Sequence, residues 1–582
     1  MTLVQDVHTW SDDPTSLPCV VTPETPGRAG LVATPYGDLR FLNVRGTLEE
    51  MAVQLGTRMG EEAFLGPIPY FAKHLERVFA NSPVKKGSRL LDDAMYQTVG
   101  RKLRERYPLH MRRAIEAYAR VTETDPEVIW RAYLLPEIFL WTIGTYHRVL
   151  GTDPARGLGG PPTFGCTSAI VVPPVGATPL HARNFDYFGI DYWDRFASVV
   201  FYHPDDGLDY VGIGSAGILG AGATAMNSAG LTLAIHQHFP RTFDLDGFPV
   251  GIASDRVMCH ARTIEDAVRI LRDHPPVSGW TYVLTEGDTG RAAIFEVAPG
   301  EENLRFLDPD EGALGYANVY WGANLADVEV DYYPEYRRCN HARQARVGQC
   351  LVALDAPATP VDMARIIGDM TDAGSGQERL LGPTILSVMT VGSVVFEPAA
   401  RRVWIGAGRS PACRGWFIPF RLDADGAGRG APDLDVQPFL PFAGWHESPG
   451  GKAFEFYRQA CALAQEETAS DDKLLVLVEH ALALSPDEPY LRVLAGLIAL
   501  RLGRGRRAEG AFRRALGDIE RPDRRAEVGL FLAWSLDLQQ QRGAARHLYK
   551  TVLADTDADD IVRSRARYGR YFRFDAARAA TL

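Results

Sequence analysis

The sequence predicts an α+β protein in three parts: a mainly helical opening segment over 1–165, a layered sheet-and-helix core over 166–422, and, after a linker at 423–452, an all-α helical repeat over 453–582. Three observations carry this. Apolar residues recur at helical spacing up to about residue 150, short β-type runs bounded by turn residues dominate from 166 to about 420, and the remainder has almost no β texture.

In chain order, 15–45 is rich in Pro, Gly and alternating apolar residues and ends in LRFLNVR, a strand feeding a turn at Gly46. Thr47 and Glu50 stand in capping-box spacing before a helix over 47–63 whose Leu48, Met51, Leu55 and Met59 share a face. Gly56 and Gly60 in that helix would admit another backbone closely. Further helices are expected over 96–119 and 125–150. Beyond 165 the β runs are 169–172, 197–202, 231–235, 281–284, 292–297, 385–396 and 403–406, with EGDTG at 286–290 making a hairpin of the fourth and fifth. Thr263 with Asp266 and Thr359 with Asp362 open two helices among them. The stretch DADGAGRGAP at 423–432 reads as a polar linker. After it, Gly496, Ala499, Ala508, Phe512 and Ala515 are echoed about 37 residues later by Ala533, Ala545 and Tyr549, a spacing that resembles tetratricopeptide units.

Composition excludes several classes. Apolar content of 46% with 23% charged residues is that of an ordinary globular protein, and a net charge of −11 lacks the basic footprint of a nucleic-acid binder. The arginines of 501–514 and 563–573 are interspersed with acids and read as a solvated helical face. Seven scattered cysteines without CxxC spacing suit a reducing compartment and offer no zinc site. The opening MTLVQDVHTWSDDP shows no secretory signal, so a cytoplasmic location is expected. The most apolar run, 133–144, is broken by Pro136 and Glu137 and is too short for a membrane span.

Chemistry concentrates at 157–186, GLGGPPTFGCTSAIVVPPVGATPLHARNFD. Gly159, Gly160, Pro161 and Pro162 stop any helix before Cys166, and Gly165 would let the preceding backbone take unusual φ values with its carbonyl open to attack. A turn at 174–178 would return Arg183, Asn184 and Asp186 beside the cysteine. Were Cys166 a chain terminus, its own α-amine, with a reference pKa of about 7.7–8.0, could take the thiol proton, and no histidine base would be required. Asp186 could orient that amine while Arg183 favours the thiolate. Taken alone, Arg183 and Asp186 also fit an ordinary ion pair at a strand end.

GCTS at 165–168, HARNFD at 181–186, MNSAGL at 226–231 and the paired strands WTYVLTEGDTGRAAIFEV, together with NVRGTLEEMAVQLGTRMGEEA upstream, resemble the acyltransferase-type N-terminal nucleophile (Ntn) cysteine hydrolases. Isopenicillin-N acyltransferase belongs to that group, and choloylglycine hydrolases and acid-ceramidase-like amidases are more distant members. The resemblance implies a four-layer αββα sandwich, self-cleavage between Gly165 and Cys166, and Cys166 as nucleophile with Arg183 and Asp186 around it. It implies Asn318, in GYANVYW, as an oxyanion donor, and a late arginine within PEYRRCNHARQ at Arg337 or Arg338, of which Arg338 is preferred. A substrate position falls near His236 or Gln237, where this chain departs from the asparagine of bile-salt relatives. Tyr187, Phe188, Tyr192 and Trp193 are aromatic pocket candidates.

Competing motifs are weaker. GIGSAG at 212–217 matches GxGxxG, but glycines and Asn227 follow where a nucleotide site needs a helix, so it reads as a glycine-rich loop beside the site. His236-x-His238 lacks a third metal ligand. A papain-like reading lacks the sequence expected around its cysteine. The expected function is therefore a self-processing amidohydrolase or acyltransferase acting on an amide or acyl thioester, with no cofactor and no metal. A protein or peptide partner is expected at the repeats. The alternative is an inactive platform that binds partners through those repeats.

Overall fold

The computed structural model describes residues 8–9, 19–80, 87–150, 165–307, 310–330, 334–355, 357–423, 429–466 and 469–579. Thr163 and the Gly/Pro run before it therefore lie outside the described residues.

The opening segment starts with four strands, β1 (His8–Thr9), β2 (Val20–Thr22), β3 (Gly30–Thr34) and β4 (Gly37–Gly46). Among the described residues eight α-helices follow: α1 (Leu48–Met59), α2 (Glu62–Leu65), α3 (Pro67–Ala72), α4 (His74–Ala80), α5 (Ser88–Met95), α6 (Arg101–Arg106), α7 (Leu109–Val121) and α8 (Pro126–Leu150). The capping box forms: Glu50 N–H donates to Thr47 Oγ1 at 3.3 Å and Thr47 N–H to Glu50 Oε2 at 2.8 Å. The helix expected over 96–119 is instead a π turn at Tyr96–Gly100 followed by α6 and α7, which Pro108 separates.

The core strands are β5 (Gly165–Val171), β6 (Leu180–Asp186), β7 (Ala197–Pro204), β8 (Tyr210–Ser215), β9 (Thr224–Asn227) and β10 (Leu231–His238). After helices α9 (Val250–His260) and α10 (Ile264–Arg272) come β11 (Gly279–Glu286), β12 (Ala292–Ala298), β13 (Glu301–Phe306) and β14 (Ala313–Tyr316). Helices α11 (Ala323–Val328), α12 (Pro334–Val352) and α13 (Pro360–Ile367) then lead to β15 (Thr390–Glu397), β16 (Arg402–Ala407), β17 (Trp416–Arg421) and β18 (Ala431–Pro432). They form two sheets. One has the order β1-β2-β3-β4-β7-β8-β9-β10-β11-β12-β13, and the other β14-β5-β6-β15-β16-β17-β18. The opening segment is thus not only helical: it supplies four strands of the larger sheet, joined through β4 running parallel to β7.

Alternation along the strands sets the layers. Ile170 meets Ala234, Val283 and Ile294 between the sheets, as Val394, Phe396 and Ile405 meet Val32, Phe41 and Val199. On the outer face of the larger sheet, Leu42 and Val44 pack on Met51 and Leu55 of α1, and Leu233 and Tyr282 join a cluster with Ile252 of α9 and Ile138 of α8. On the outer face of the smaller sheet, Ala169, Val171 and Ala182 pack on Val347 of α12 and Met363 and Ile367 of α13. The order is helices, sheet, sheet, helices. Strands buried on both faces explain why β10, β11 and β12 read as near-continuous buried runs.

The stretch expected to be a linker is packed where it is described. Asn43 donates to Gly430 O at 2.8 Å, Phe439 stacks on Phe417 at 5.4 Å, and Arg414 lies over Phe442. Its polar glycine-rich composition concealed the aromatic residues that follow. Beyond it run α14 (Pro449–Ala464), α15 (Asp471–Leu484), α16 (Pro489–Arg501), α17 (Gly505–Asp518), α18 (Pro522–Leu538), α19 (Arg542–Ala554), α20 (Asp560–Tyr571) and α21 (Ala576–Ala579). Phe454 and Tyr457 of α14 share the core of α13 and the smaller sheet. In the array, a Cβ on Gly496 would come within 2.4 Å of the Phe512 ring, and one on Gly569 within 2.5 Å of Tyr549. The small and aromatic positions of the sequence repeat are therefore contact points between neighbouring helices. No helix among the described residues is long and apolar enough to cross a membrane.

Candidate functional site

Cys166 is the second residue of β5, next to a Gly165 that cannot be larger. A Cβ there would lie 2.5 Å from an Arg343 guanidinium nitrogen and 2.9 Å from Asn318 Oδ1. Gly165 does not take a positive φ. The glycine before the cysteine is thus a matter of room and not of unusual backbone.

The hairpin of β5 and β6 has Cys166 opposite Phe185, Ser168 opposite Arg183 and Gly165 opposite Asp186. Facing residues of an antiparallel pair share a side, so Cys166 and Arg183 point between the sheets and Asp186 points toward α12. Arg183 Nη2 donates to Cys166 Sγ at 3.1 Å and to Ile235 O at 2.6 Å. Asp186 Oδ1 accepts from Thr390 Oγ1 at 2.6 Å, and its Oδ2 is 3.9 Å from Arg343 Nη1. The group expected to orient the Cys166 nitrogen is not the one found there: Cys166 N–H donates to Asn318 Oδ1 at 2.6 Å. Asn318 sits at φ 49°, a left-handed conformation that asparagine tolerates better than most residues, and its Nδ2 donates to Gln237 O at 2.8 Å.

Arg338 is corrected. It points away from Cys166 to Asp523, Glu527 and Asp559 of the helical array. The arginine beside the cysteine is Arg343, on the same helix, which donates to Cys166 O at 2.6 Å, Thr167 Oγ1 at 2.8 Å and Asn340 Oδ1 at 2.6 Å. Asn340 in turn donates to Asn318 O at 3.2 Å. Arg343 and Asn340 stand within PEYRRCNHARQ, and their only sequence signal was a spacing of three on a helix.

The remaining candidates divide. His236 is fully buried between the sheets, its Nε2 2.9 Å from Ser168 Oγ, and His238 bonds Glu329 and Tyr316, so the two histidines serve separate networks. No cluster suited to a metal ion occurs among the described residues. The Gln237 side chain lies beside Trp280 on the outer side of the sheet, and its Nε2 is buried without a partner. Tyr187 stacks on Phe185 at 5.2 Å between ring centres, and its hydroxyl is also buried without a partner. Phe188 touches His74 and Phe139 of the opening helices. Gly212 to Ser215, expected in a glycine-rich loop, are part of β8, and Gly214 borders a small cavity of ≈ 20 Å³ together with Arg183.

Electrostatics follow from this burial. Desolvation pushes the Cys166 thiol up, with Arg183 pulling it down and Asp186 pushing it further up. Asp186 is pushed up to about 6 by burial, against the pull of Arg343 and Thr390. His236 is held neutral, chiefly by desolvation. Polar atoms of Arg183, Asp186, Gln237 and Tyr187 are buried with no hydrogen-bond partner.

These features define a two-sheet sandwich with a buried cysteine at the start of β5, the strand next to the edge of the smaller sheet, flanked by two arginines, an aspartate and two asparagines. Residues 175–411 match the family model described as acyl-coenzyme A:6-aminopenicillanic acid acyl-transferase. The match spans less than half of the chain and starts after Cys166. Over those residues the chain is similar to that acyltransferase family. Among solved structures, the chain is similar to the N-acylethanolamine-hydrolyzing acid amidase ortholog of Caenorhabditis elegans, with 15% identity, a TM-score of 0.30, 40% of this chain covered and 93% of that one. No curated protein matches.

Proposed function

We propose that the protein is a self-processing N-terminal-cysteine amidohydrolase or acyltransferase of Ntn type, carrying a tetratricopeptide-like array. The observation that carries this reading is the bonding around one residue: Cys166 N–H to Asn318, its carbonyl to Arg343 and its thiol to Arg183.

Activation begins when Sγ attacks the Gly165 carbonyl carbon. The Gly165–Cys166 C–N bond breaks, the nitrogen takes up a proton, and water hydrolyses the resulting thioester, leaving a Gly165 carboxylate and a free Cys166 α-amine and thiol. On a substrate amide or acyl thioester, the α-amine accepts the thiol proton and Sγ attacks the acyl carbon. The leaving amine or thiol departs with that proton, and water or an amine then takes the acyl group from Cys166. Asn318 keeps one amide hydrogen beyond its bond to Gln237 O, which it can turn to the oxyanion; losing one such donor costs about 2.7–4 kcal/mol of barrier. Arg183 supports the thiolate. Arg343 and Asp186 hold the strand end rather than the reacting atoms. Tyr187 offers an uncommitted donor to the substrate.

Intact mass under denaturing conditions tests self-cleavage: wild type should give two pieces meeting at Gly165–Cys166, and Cys166→Ala one full-length chain. A folded wild-type protein that stays a single chain overturns it. Covalent capture of an acyl group on Cys166 from N-acyl-aminocoumarin amides of graded chain length tests the enzyme reading.

A further inference from the structure

The helical array reaches the Cys166 centre from two sides. On the first, Gln465, just past the end of α14, bonds three groups with one oxygen: Oε1 accepts from Gly189 N–H at 3.0 Å, Ile190 N–H at 3.2 Å and Tyr70 O–H at 3.1 Å. Its Nε2 donates to Ile190 O at 3.3 Å. Two neighbours reinforce the contact, Arg458 donating to Asp191 Oδ1 at 2.6 Å and Tyr192 O–H to Glu466 at 2.8 Å. The segment held in this way follows directly from Asp186. It carries Tyr187, which stacks on Phe185, the residue paired with Cys166. Tyr70, the third partner, belongs to α3, so one side chain ties the opening segment, the site loop and the array together.

On the second side, α12 is shared. Arg338 faces Asp523, Glu527 and Asp559 of the array, while Asn340 and Arg343, two and five residues on, hold Asn318 O and Cys166 O. Movement of the array would be passed to those two side chains through a rigid helix.

The array's own helices agree. A solenoid standing in solvent has amphipathic helices, yet α16 and α18 are buried almost all round, with Leu491, Ala495 and Ile498 of α16 packed in the same core as Met363 and Ile385. Their apolar surface is used within this chain.

We propose that the array is an intramolecular brace for the Cys166 centre, with Gln465 and Arg338 as its positioning residues. The proposal deepens the reading of Cys166 as nucleophile, on which its functional meaning rests. Neither residue touches the reacting atoms. Gln465 fixes the aromatic cover of the thiol, and Arg338 fixes the helix that grips the Cys166 carbonyl.

The test uses the full chain and needs no substrate. The rate of Cys166 alkylation by iodoacetamide is followed by peptide mass from pH 6 to 10, with the thermal midpoint measured in parallel. Cys413, fully buried in the core that α14 shares, is the internal control for general loosening. Gln465→Ala and Arg338→Gln should each raise the Cys166 rate about tenfold relative to Cys413, the scale of losing one or two hydrogen bonds that hold a local segment closed. Gln465→Glu should restore slow alkylation in part, because a carboxylate oxygen still accepts from Gly189, Ile190 and Tyr70 while the donor to Ile190 O is lost. An unchanged Cys166 rate, a rise shared equally by Cys413, or a Gln465→Glu no slower than Gln465→Ala overturns the brace. Acyl capture on Cys166 is scored separately: its absence beside a selective alkylation response sinks the nucleophile reading and leaves the brace, and the opposite pair of results does the reverse.

Discussion

Asn318 meets two demands at once, and its replacements separate them. Its φ of 49° asks for a residue tolerant of the left-handed region, and its Oδ1 accepts the Cys166 N–H. Asn318→Ala fails both, leaving a buried donor unpaired, and should lower stability by about 2–5 kcal/mol in urea unfolding, the sum of a desolvated donor and a left-handed alanine. Asn318→Gly removes the same side-chain bonds but tolerates the left-handed backbone, so it should lose only the share of about 1–3 kcal/mol that belongs to the unpaired donor; a loss equal to that of Asn318→Ala would show that the backbone preference contributes nothing. Asp186 gives a second prediction. Burial raises it from an ordinary value near 3.8 to about 6, so between those values the folded protein holds a proton that the unfolded chain has released. Stability should therefore fall as pH rises from about 4 to about 6, and Asp186→Asn should remove that slope from unfolding curves taken across the window. A wild-type slope matched by the variant would discount the shift. The residue scale also marks where sequence reading ran out. Arg338 and Arg343 are equivalent as letters, and five residues turn a helix by roughly 140°, so only knowledge of which face of α12 meets β5 separates the one at the array from the one at Cys166.

Elements were legible where their signals are local. The Thr47 and Thr359 capping boxes, the β11–β12 hairpin and the return of β6 beside β5 all depend on residues near each other in sequence. The parallel pairing of β4 with β7 was not legible, because it joins residues more than 150 apart through their backbones and leaves no pattern in either strand. Helix α1 shows how a correct motif can hold two mechanisms. Gly56 and Gly60 were read together as a close-approach pair. Only Gly56 is one, since a Cβ there would lie 2.5 Å from Val121 Cγ1 of α7, whereas Gly60 ends the helix at φ 54° in open space. Gly56→Ala should therefore destabilise by about 1–3 kcal/mol through overpacking, and Gly60→Ala by about 1–2 kcal/mol through backbone strain alone. Relative to Val121→Ala alone, adding Val121→Ala to Gly56→Ala should regain part of the first loss, and adding it to Gly60→Ala should regain none of the second. Thermal unfolding of the wild type, the three single variants and the two doubles checks this, and a rescue of Gly60→Ala by Val121→Ala would contradict it.

At the scale of the whole molecule, the residues before and after Cys166 share one sheet, so the cut proposed there would not fall between separately folded units. Residues before it supply β1 to β4 of the larger sheet, and β4 lies inside that sheet with β3 on one side and β7 on the other. Helices of the same segment cover the sheet's outer face, where Met51, Leu55, Ile138 and Phe139 share one cluster with Leu233, Tyr282 and Phe295. Cutting the chain at Gly165 would remove a covalent link but neither the ladder nor the apolar contact. Contacts of this kind are insensitive to salt, because screening weakens charge pairs and leaves buried apolar surface untouched. Residues 1–165 with an affinity tag, coexpressed with untagged 166–582, should therefore assemble on the resin. The untagged piece should stay bound through about 1 M salt, where the Debye length is only about 3 Å, and leave only in denaturant. Expressed alone, 166–582 should be insoluble, since β7 would present an unpaired edge and the sheet an uncovered apolar face. Release of the untagged piece by salt, or a soluble and cooperatively folding 166–582, would show instead that the opening segment is a removable appendage.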